Sequence, residues 1–379
     1  MVKRIVYIVG DLSYPNGMSR VLSQKVNYLA AHTDYELFVV LTENASMPHY
    51  YKLSPKVEWV NFDVNFEELQ TMPLYRKAWN YCWKMRQYKR KLTDYLMQIR
   101  PDITVSVLRR EINFINDIPD GSIKIGEIHF NRQSYRVFNH SFLPSFVNRF
   151  VTKKWKDSLD QQVHRLNRFV VLTNEDAMNW EGFDNVQVIP NPIAKFPTVV
   201  SDCTSKHVIA VGRYTWQKGF DMLINAWKTV YRRHPDWILD IYGAGDRKAY
   251  CELVEREDLS FVIICHEAEN DIFSKYSESS IFVLSSRYEG LPLVLGEAMA
   301  TGLPVVSFSC PCGPKDIITD GIDGILVDNG DIERLADSIC YLIENEDVRK
   351  KYGQMGRKKA LNYNENCIMR LWIDLFDAL

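Results

Sequence analysis

Two carboxylates, Glu289 and Glu297, stand with seven residues between them in Arg287–Val306, RYEGLPLVLGEAMATGLPVV. The bare spacing recurs by chance in most chains; its weight comes from its setting. The apolar run Ile281–Leu284 has the length of a buried parallel strand, and Gly290-Leu291-Pro292 makes a tight turn behind Glu289. Leu293–Thr301 is a run of good helix formers, with Gly302 as a C-cap and Pro304 opening the next apolar run. The unit is strand, loop, helix, strand. It puts Glu289 at the carboxyl edge of a sheet, where open α/β sheets bind ligands, and Glu297 about two turns into the helix. A second cluster lies upstream in Ala210–Gly219, AVGRYTWQKG. There Arg213 and Lys218 follow a strand and flank a helix start. A bidentate guanidinium, a point charge and free helix N–H groups together make a diphosphate site, whereas a bland reading leaves two solvated surface cations.

The elements that position these residues alternate along the whole chain. Strands are expected at Arg4–Val9, Leu37–Leu41, Val57–Val60, Ile103–Val107, Ile123–Gly126 and Arg168–Leu172, with helices at Ser19–Ala31, Lys77–Ile99 and Glu175–Trp180. Three prolines in Val188–Pro197 mark a linker. The alternation restarts with strands at His207–Val211, Trp237–Tyr242 and Phe261–Ile264 and helices at Phe220–Arg233 and Arg247–Glu257. It ends in a helix, Glu365–Leu379, with Ile368, Leu371, Trp372, Leu375 and Phe376 on one apolar face. The pattern is α/β with two parallel, doubly wound sheets.

Length and composition agree. A chain of 379 residues is natural for two domains. Hydrophobic and charged fractions of 46% and 25% are globular, and a net charge of -2 provides no field for nucleic acid. No apolar run approaches the roughly 18 residues of a membrane span. The opening MVKRIVYIVGDLSYPNG reads as a strand and loop rather than a signal peptide. The eight cysteines are scattered, and Cys310-Pro311-Cys312 lacks a second pair for zinc. A cytoplasmic protein with reduced thiols is expected.

Taken together, the Glu, seven residues, Glu stretch and the Gly-Arg…Lys-Gly loop resemble the signatures of retaining glycosyltransferases of the GT-B fold, family 4. The resemblance implies two Rossmann-like domains facing a central cleft: residues 1–193 for the acceptor, 194–361 for the nucleotide sugar, and a last helix, 362–379, packing back on the first domain. It implies that Arg213 and Lys218 hold the donor diphosphate and that the N–H groups of Gly290 and Leu291 face its β-phosphate. Glu289 lies near the donor sugar, and Glu297 accepts hydrogen bonds from the ribose. Gly243, in YGAGD, resembles the glycine loop beside the base. The segment Ile264–Glu267 departs from the family, which commonly carries a glycine there. Asn16-Gly17 is similar to the glycine turn that reaches across the cleft, although no G-x-G-x-x-G is present. His129, in GEIHFN, stands just past a strand and is raised by the resemblance from a structural histidine to an active-site candidate.

Two basic, aromatic stretches remain. Arg76–Arg100 interleaves Arg76, Lys77, Lys84, Arg86, Lys89, Arg90 and Lys91 with Trp79, Tyr81, Trp83 and Tyr88, and Phe142–Lys156 carries Phe146, Phe150, Lys153, Lys154, Trp155 and Lys156. Either is a solvated face or a contact for an anionic membrane surface, which would place the protein peripherally on the inner face of the plasma membrane. The reading is a retaining hexosyl- or N-acetylhexosaminyltransferase that moves a sugar from a nucleotide-diphosphate donor, a UDP-sugar on resemblance, to a glycan or lipid-linked glycan in surface polysaccharide assembly. No Asp-x-Asp occurs, so a metal-independent enzyme without cofactor is expected. The alternatives are a non-catalytic nucleotide-sugar-binding module and a NAD-dependent oxidoreductase.

Overall fold

The computed structural model describes residues 2–132, 135 and 144–379. The chain forms two compact units: Met1–Val171 with Asn179–Ile189 and Met369–Leu379, and Leu172–Met178 with Pro190–Ile368. The main division thus falls at 189–190, four residues before the boundary read from the proline-rich linker, and a short segment after residue 171 counts with the second unit.

In the first unit the strands are β1 (Arg4–Ile8), β2 (Glu36–Leu41), β3 (Val57–Asn61), β4 (Ile103–Ser106), β5 (Ile123–Glu127), β6 (Arg168–Val171) and β7 (Val186–Val188). Their order is β3-β2-β1-β4-β5-β6-β7, and every pair is parallel. Central strands read as continuous apolar runs because both faces are covered: Ile5, Val6, Tyr7 and Ile8 are all buried. The helix Gly17–His32 starts where the Asn16 side chain accepts the N–H of Ser19 at 2.9 Å, which satisfies one free donor of the first turn.

The second unit contains β8 (His207–Val211), β9 (Ile238–Tyr242), β10 (Ile263–His266), β11 (Ile281–Leu284), β12 (Val305–Phe308) and β13 (Gly324–Val327). They are ordered β10-β9-β8-β11-β12-β13, again all parallel. Alternate residues feed two cores: Val208 and Ala210 join one, Ile209 the other. Helices Phe220–Arg233 and Ile332–Glu344 share the first core through Leu223, Trp227, Val230, Leu335 and Ile339.

Several elements differ from the sequence reading. β10 begins two residues later than expected, because the N–H groups of Val262 and Ile263 are first spent on the Leu259 carbonyl in a turn, and Phe261 is left exposed. β7 and the second part of the helix Ser145–His164, residues 157–164, were not anticipated; Phe142, assigned to the second basic stretch, lies outside the described residues. In the final helix, Glu365–Asp377, Leu371 is exposed and Met369 takes its place in the core. Within helix Leu74–Ile99, Lys84 and Tyr88 turn inward, Lys84 onto the Asn65 carbonyl at 2.6 Å, while Trp79 and Trp83 stay 77% and 55% exposed. Among the described residues no helix is long and apolar enough to cross a membrane.

Each sheet has one place where the chain reverses its direction of growth, between β1 and β4 in the first unit and between β8 and β11 in the second. At such points the loops after two neighbouring strands splay apart and leave a crevice at the carboxyl edge.

Candidate active site

The second unit's crevice is built from the loop after β8, residues 212–219, and the loop after β11, residues 285–292. They are laced together. The Arg287 N–H donates to the Gln217 carbonyl at 2.8 Å, Gln217 Nε2 to the Tyr288 carbonyl at 2.9 Å, and Ser285 Oγ to the Lys218 carbonyl at 2.9 Å. The Arg287 guanidinium grips both oxygens of Asp221, at 2.9 and 2.6 Å, and lies over the exposed Trp216 ring. Two glycines make the approach feasible. Gly219 has φ +63°, and a Cβ there would fall 2.1 Å from the Ser285 carbonyl oxygen. At Gly243 a Cβ would meet the Gly212 carbonyl oxygen at 1.8 Å, so strands β8 and β9 can end side by side only without a side chain.

This lacing brings Lys218 to Glu289. The ammonium lies 2.7 Å from Oε1 of the carboxylate, and Ser286 Oγ donates to the same oxygen at 2.6 Å. The Glu289 backbone is held as well, its N–H donating to the Pro311 carbonyl at 2.7 Å. Gly290 and Leu291 follow directly and turn against Gly313, whose Cβ, if present, would sit 3.2 Å from the Gly290 carbonyl oxygen. Glu297 is the fifth residue of helix Leu293–Ala300, one turn in rather than two, and is buried at 2% exposure. Arg213 is exposed, and among the described residues no carboxylate pairs with its guanidinium. The crevice therefore offers two neutralised cations, Lys218 and Arg287, a third, Arg213, that has no carboxylate partner among the described residues, and a fixed carboxylate. That set can take up a doubly charged phosphate group at Arg213 and direct a carboxylate at whatever the phosphate carries.

The first unit holds the other two candidates. Gly17 opens the helix capped by Asn16. His129 stands two residues past β5, and its Nε2 lies 3.3 Å from Glu127 Oε1. That oxygen is also 2.5 Å from Lys25 Nζ, and both side chains of the Lys25–Glu127 pair are 1% exposed. Burial drives the Glu127 carboxyl upward, but Lys25 and then His129 outweigh it and hold the group at about 2. Burial lowers Lys25 against the pull of Glu127. The ammonium is capped by the Trp372 ring, 3.7 Å from its centroid.

Sequence reasoning missed Lys25, Glu127, Ser286, Asp221 and Trp372 as partners. One signal was available: Lys25 interrupts the buried face Val21, Leu22, Val26, Leu29 of its helix, and a buried lysine needs a counter-charge.

Two parallel α/β units with these crevices form the GT-B fold of glycosyltransferases, and comparison with a solved structure agrees. A mutant of TarM from S. aureus, in complex with Fondaparinux, alpha-GlcNAc-glycerol and UDP, superposes with a TM-score of 0.77 at 16% identity, over 99% of this chain and 100% of that one. Residues 195–359 match the family model of the glycosyl transferases group 1. An uncharacterized glycosyltransferase of Haemophilus influenzae is 31% identical over 211 residues, which are 54% of this chain and 60% of that protein. The poly(ribitol-phosphate) alpha-N-acetylglucosaminyltransferase of Staphylococcus aureus is 26% identical over 255 residues, 66% of this chain and 52% of the relative. The chain spans about half the length of such curated relatives.

Proposed function

We propose that the protein is a retaining glycosyltransferase that moves a sugar, an N-acetylhexosamine, from its uridine diphosphate to a glycan acceptor in polysaccharide assembly. The observation that carries the reading is the Lys218–Glu289 pair at the carboxyl edge of β8 and β11, inside the segment that matches the family. Arg213 binds the diphosphate through its exposed guanidinium, with Lys218 adding its charge and the N–H groups of Gly290 and Leu291 lying at the β-phosphate. Glu297 takes the ribose hydroxyls. As the bond from the anomeric carbon to the diphosphate oxygen breaks, negative charge grows at the cations and positive charge on the sugar ring beside Glu289. The acceptor oxygen bonds to the same face of that carbon and gives its proton to the departing phosphate oxygen. The protein's part is to stabilise the leaving group and hold both partners in place. Arg213 and Lys218 supply the neutralising charge, so the reaction needs no metal.

The uridine assignment is supported by UDP in the solved relative, and the N-acetylhexosamine by the S. aureus relative's name. The exposed Trp79 and Trp83 among the cations of helix Leu74–Ile99 support attachment to an anionic membrane surface on its cytoplasmic side.

The experiment is a thermal-shift panel of nucleotide sugars, because a ligand that binds only the folded state raises the melting temperature. UDP-N-acetylhexosamines are expected to stabilise most. Stabilisation by GDP and not UDP removes the uridine assignment; stabilisation without sugar transfer or hydrolysis favours the non-catalytic binding module.

A further inference from the structure

The loop that follows β12, residues 309–313, backs the turn that carries Glu289. It leaves the sheet beside β13, where the Ser309 N–H donates to the Val327 carbonyl at 2.7 Å. It then pairs with Glu289 in both directions. The Glu289 N–H donates to the Pro311 carbonyl at 2.7 Å, and the Cys312 N–H donates to the Glu289 carbonyl at 3.4 Å. Gly313 completes the contact. It has φ +103°, and a Cβ there would fall 2.5 Å from Pro292 Cδ and 3.3 Å from Leu291 Cα. A proline ring and a backbone atom cannot swing aside, so a side chain at 313 would push the whole turn.

This loop is held in its turn by a segment remote in sequence. Asn174–Met178 forms a short helix after β6 and counts with the second unit, as the loop and Glu289 do. Asp316 lies on the short helix Pro314–Ile317, which starts directly after Gly313. Its Oδ1 accepts the Asn174 N–H at 2.7 Å and Asn174 Nδ2 at 3.0 Å, and its Oδ2 accepts the Glu175 N–H at 3.3 Å. Beside it, Lys315 pairs with Glu175 at 2.7 Å, but Lys315 is exposed, and such surface pairs contribute little. Deeper in, Cys312 Sγ donates to Asp176 Oδ1 at 3.8 Å, and both residues are buried. Burial, and then Asp176, push that thiol up, so it stays a neutral donor. Asp316 is thus the main fastening: three charge-assisted hydrogen bonds run from one carboxylate to one short segment, and they fix geometry as well as adding energy.

We propose that Asp316 is a positioning residue for Glu289. It touches no substrate; by fastening the loop of residues 309–313 to Asn174–Met178, it fixes the turn from which the Glu289 carboxylate projects. Calling the positioned group catalytic rests on the glycosyltransferase reading; the mechanical link does not. Without the Asp316 carboxylate the loop is released on the side away from Glu289, and the turn gains freedom. A reacting geometry loosened by about 1 Å costs up to about 10²-fold in rate.

The test combines residue-resolved amide hydrogen exchange with steady-state kinetics on the full chain, in Asp316→Ala, Asp316→Asn and Gly313→Ala. Exchange at the Glu289 N–H should speed up about tenfold or more in Asp316→Ala and Gly313→Ala, while the amides of β11 and β12 stay protected, which shows that the variants are folded. In both variants kcat should fall about ten- to hundredfold, with the donor KM changed less than about threefold. Asp316→Asn keeps the oxygen that accepts both Asn174 donors, so it should recover most of both effects. In a Glu289→Gln background, Asp316→Ala should cost less than about threefold in kcat, because the group it positions is already lost. Asn174→Ala removes only the donor at 3.0 Å; it should show the same changes in smaller measure, and it carries the test if Asp316→Ala does not fold. The proposal is overturned if Glu289 exchange is unchanged in Asp316→Ala, if Asp316→Asn is as poor as Asp316→Ala, or if the loss is undiminished in the Glu289→Gln background. Faster exchange in Asp316→Ala, with no sugar transfer by the wild type, would retire the enzyme reading and leave the link standing. Transfer with unchanged exchange and kinetics in Asp316→Ala would do the reverse.

Discussion

Lys218 Nζ lies 2.7 Å from Oε1 of Glu289, with the two side chains 13% and 8% exposed. Two residues read from the sequence as separate contacts, one to diphosphate and one to sugar, are thus a single electrostatic unit before any ligand arrives. Truncating either leaves the other charge uncompensated in a mostly buried place. Glu289→Ala should lower kcat on the order of 10²–10³-fold. Glu289→Gln can still accept from Ser286 Oγ but cannot balance Lys218, so it should be nearly as poor. Because the pair acts together, Lys218→Met with Glu289→Gln should cost less than the two single losses summed. Steady-state kinetics on all variants checks this, and strict additivity would break the coupling claim.

Glu297 is assigned to the ribose, which does not change during reaction. Its contact stabilises ground and transition states equally, so Glu297→Ala should raise the donor KM and leave kcat near the wild-type value. A fall in kcat at constant KM would move Glu297 to the reacting centre.

The buried Lys25–Glu127 pair should show in the pH dependence of stability. Glu127 is held at about 2, below its ordinary 4.5, so its charge supports folding above about pH 4.5. That support is lost as pH falls from about 4.5 toward about 2. Glu127→Gln should be strongly destabilised at pH 7, where Lys25 is left unpaired, yet lose less further stability on acidification. Urea midpoints of both proteins from pH 7 to pH 3 measure this; parallel curves would remove Glu127 as the titrating group.

Transfer should survive excess EDTA, since Arg213 and Lys218 supply the charge that a bridging metal would otherwise bring. Loss of activity that Mn²⁺ restores would refute the metal-independent proposal.

With Trp79 and Trp83 exposed on a helix rich in lysine and arginine, the protein should sediment with anionic vesicles at low salt and release at high salt. Replacing both tryptophans by alanine should weaken that binding. Equal sedimentation with neutral vesicles would point to a different mode of attachment.

What the sequence determined by itself was local. Strands such as Ile5–Ile8 and Ile281–Leu284 are continuous apolar runs, and their alternation with helices specified two parallel sheets. The turn around Glu289, the helix that carries Glu297 and the glycine-flanked Arg213 and Lys218 each sit within a single strand–loop–helix unit, whose propensities and turn chemistry are encoded over a few residues. The tertiary structure alone decided which of these residues meet. Lys218 and Glu289 are 71 positions apart and touch because β8 lies beside β11; Lys25 and Glu127 are 102 apart. Trp372 caps that second pair from the last helix. Leu108, just after β4, is held with a positive φ, a conformation that leucine itself disfavours. Sheet order and strain are set by the sum of all the packing, so a local pattern carries the parts of a site and cannot carry their pairing.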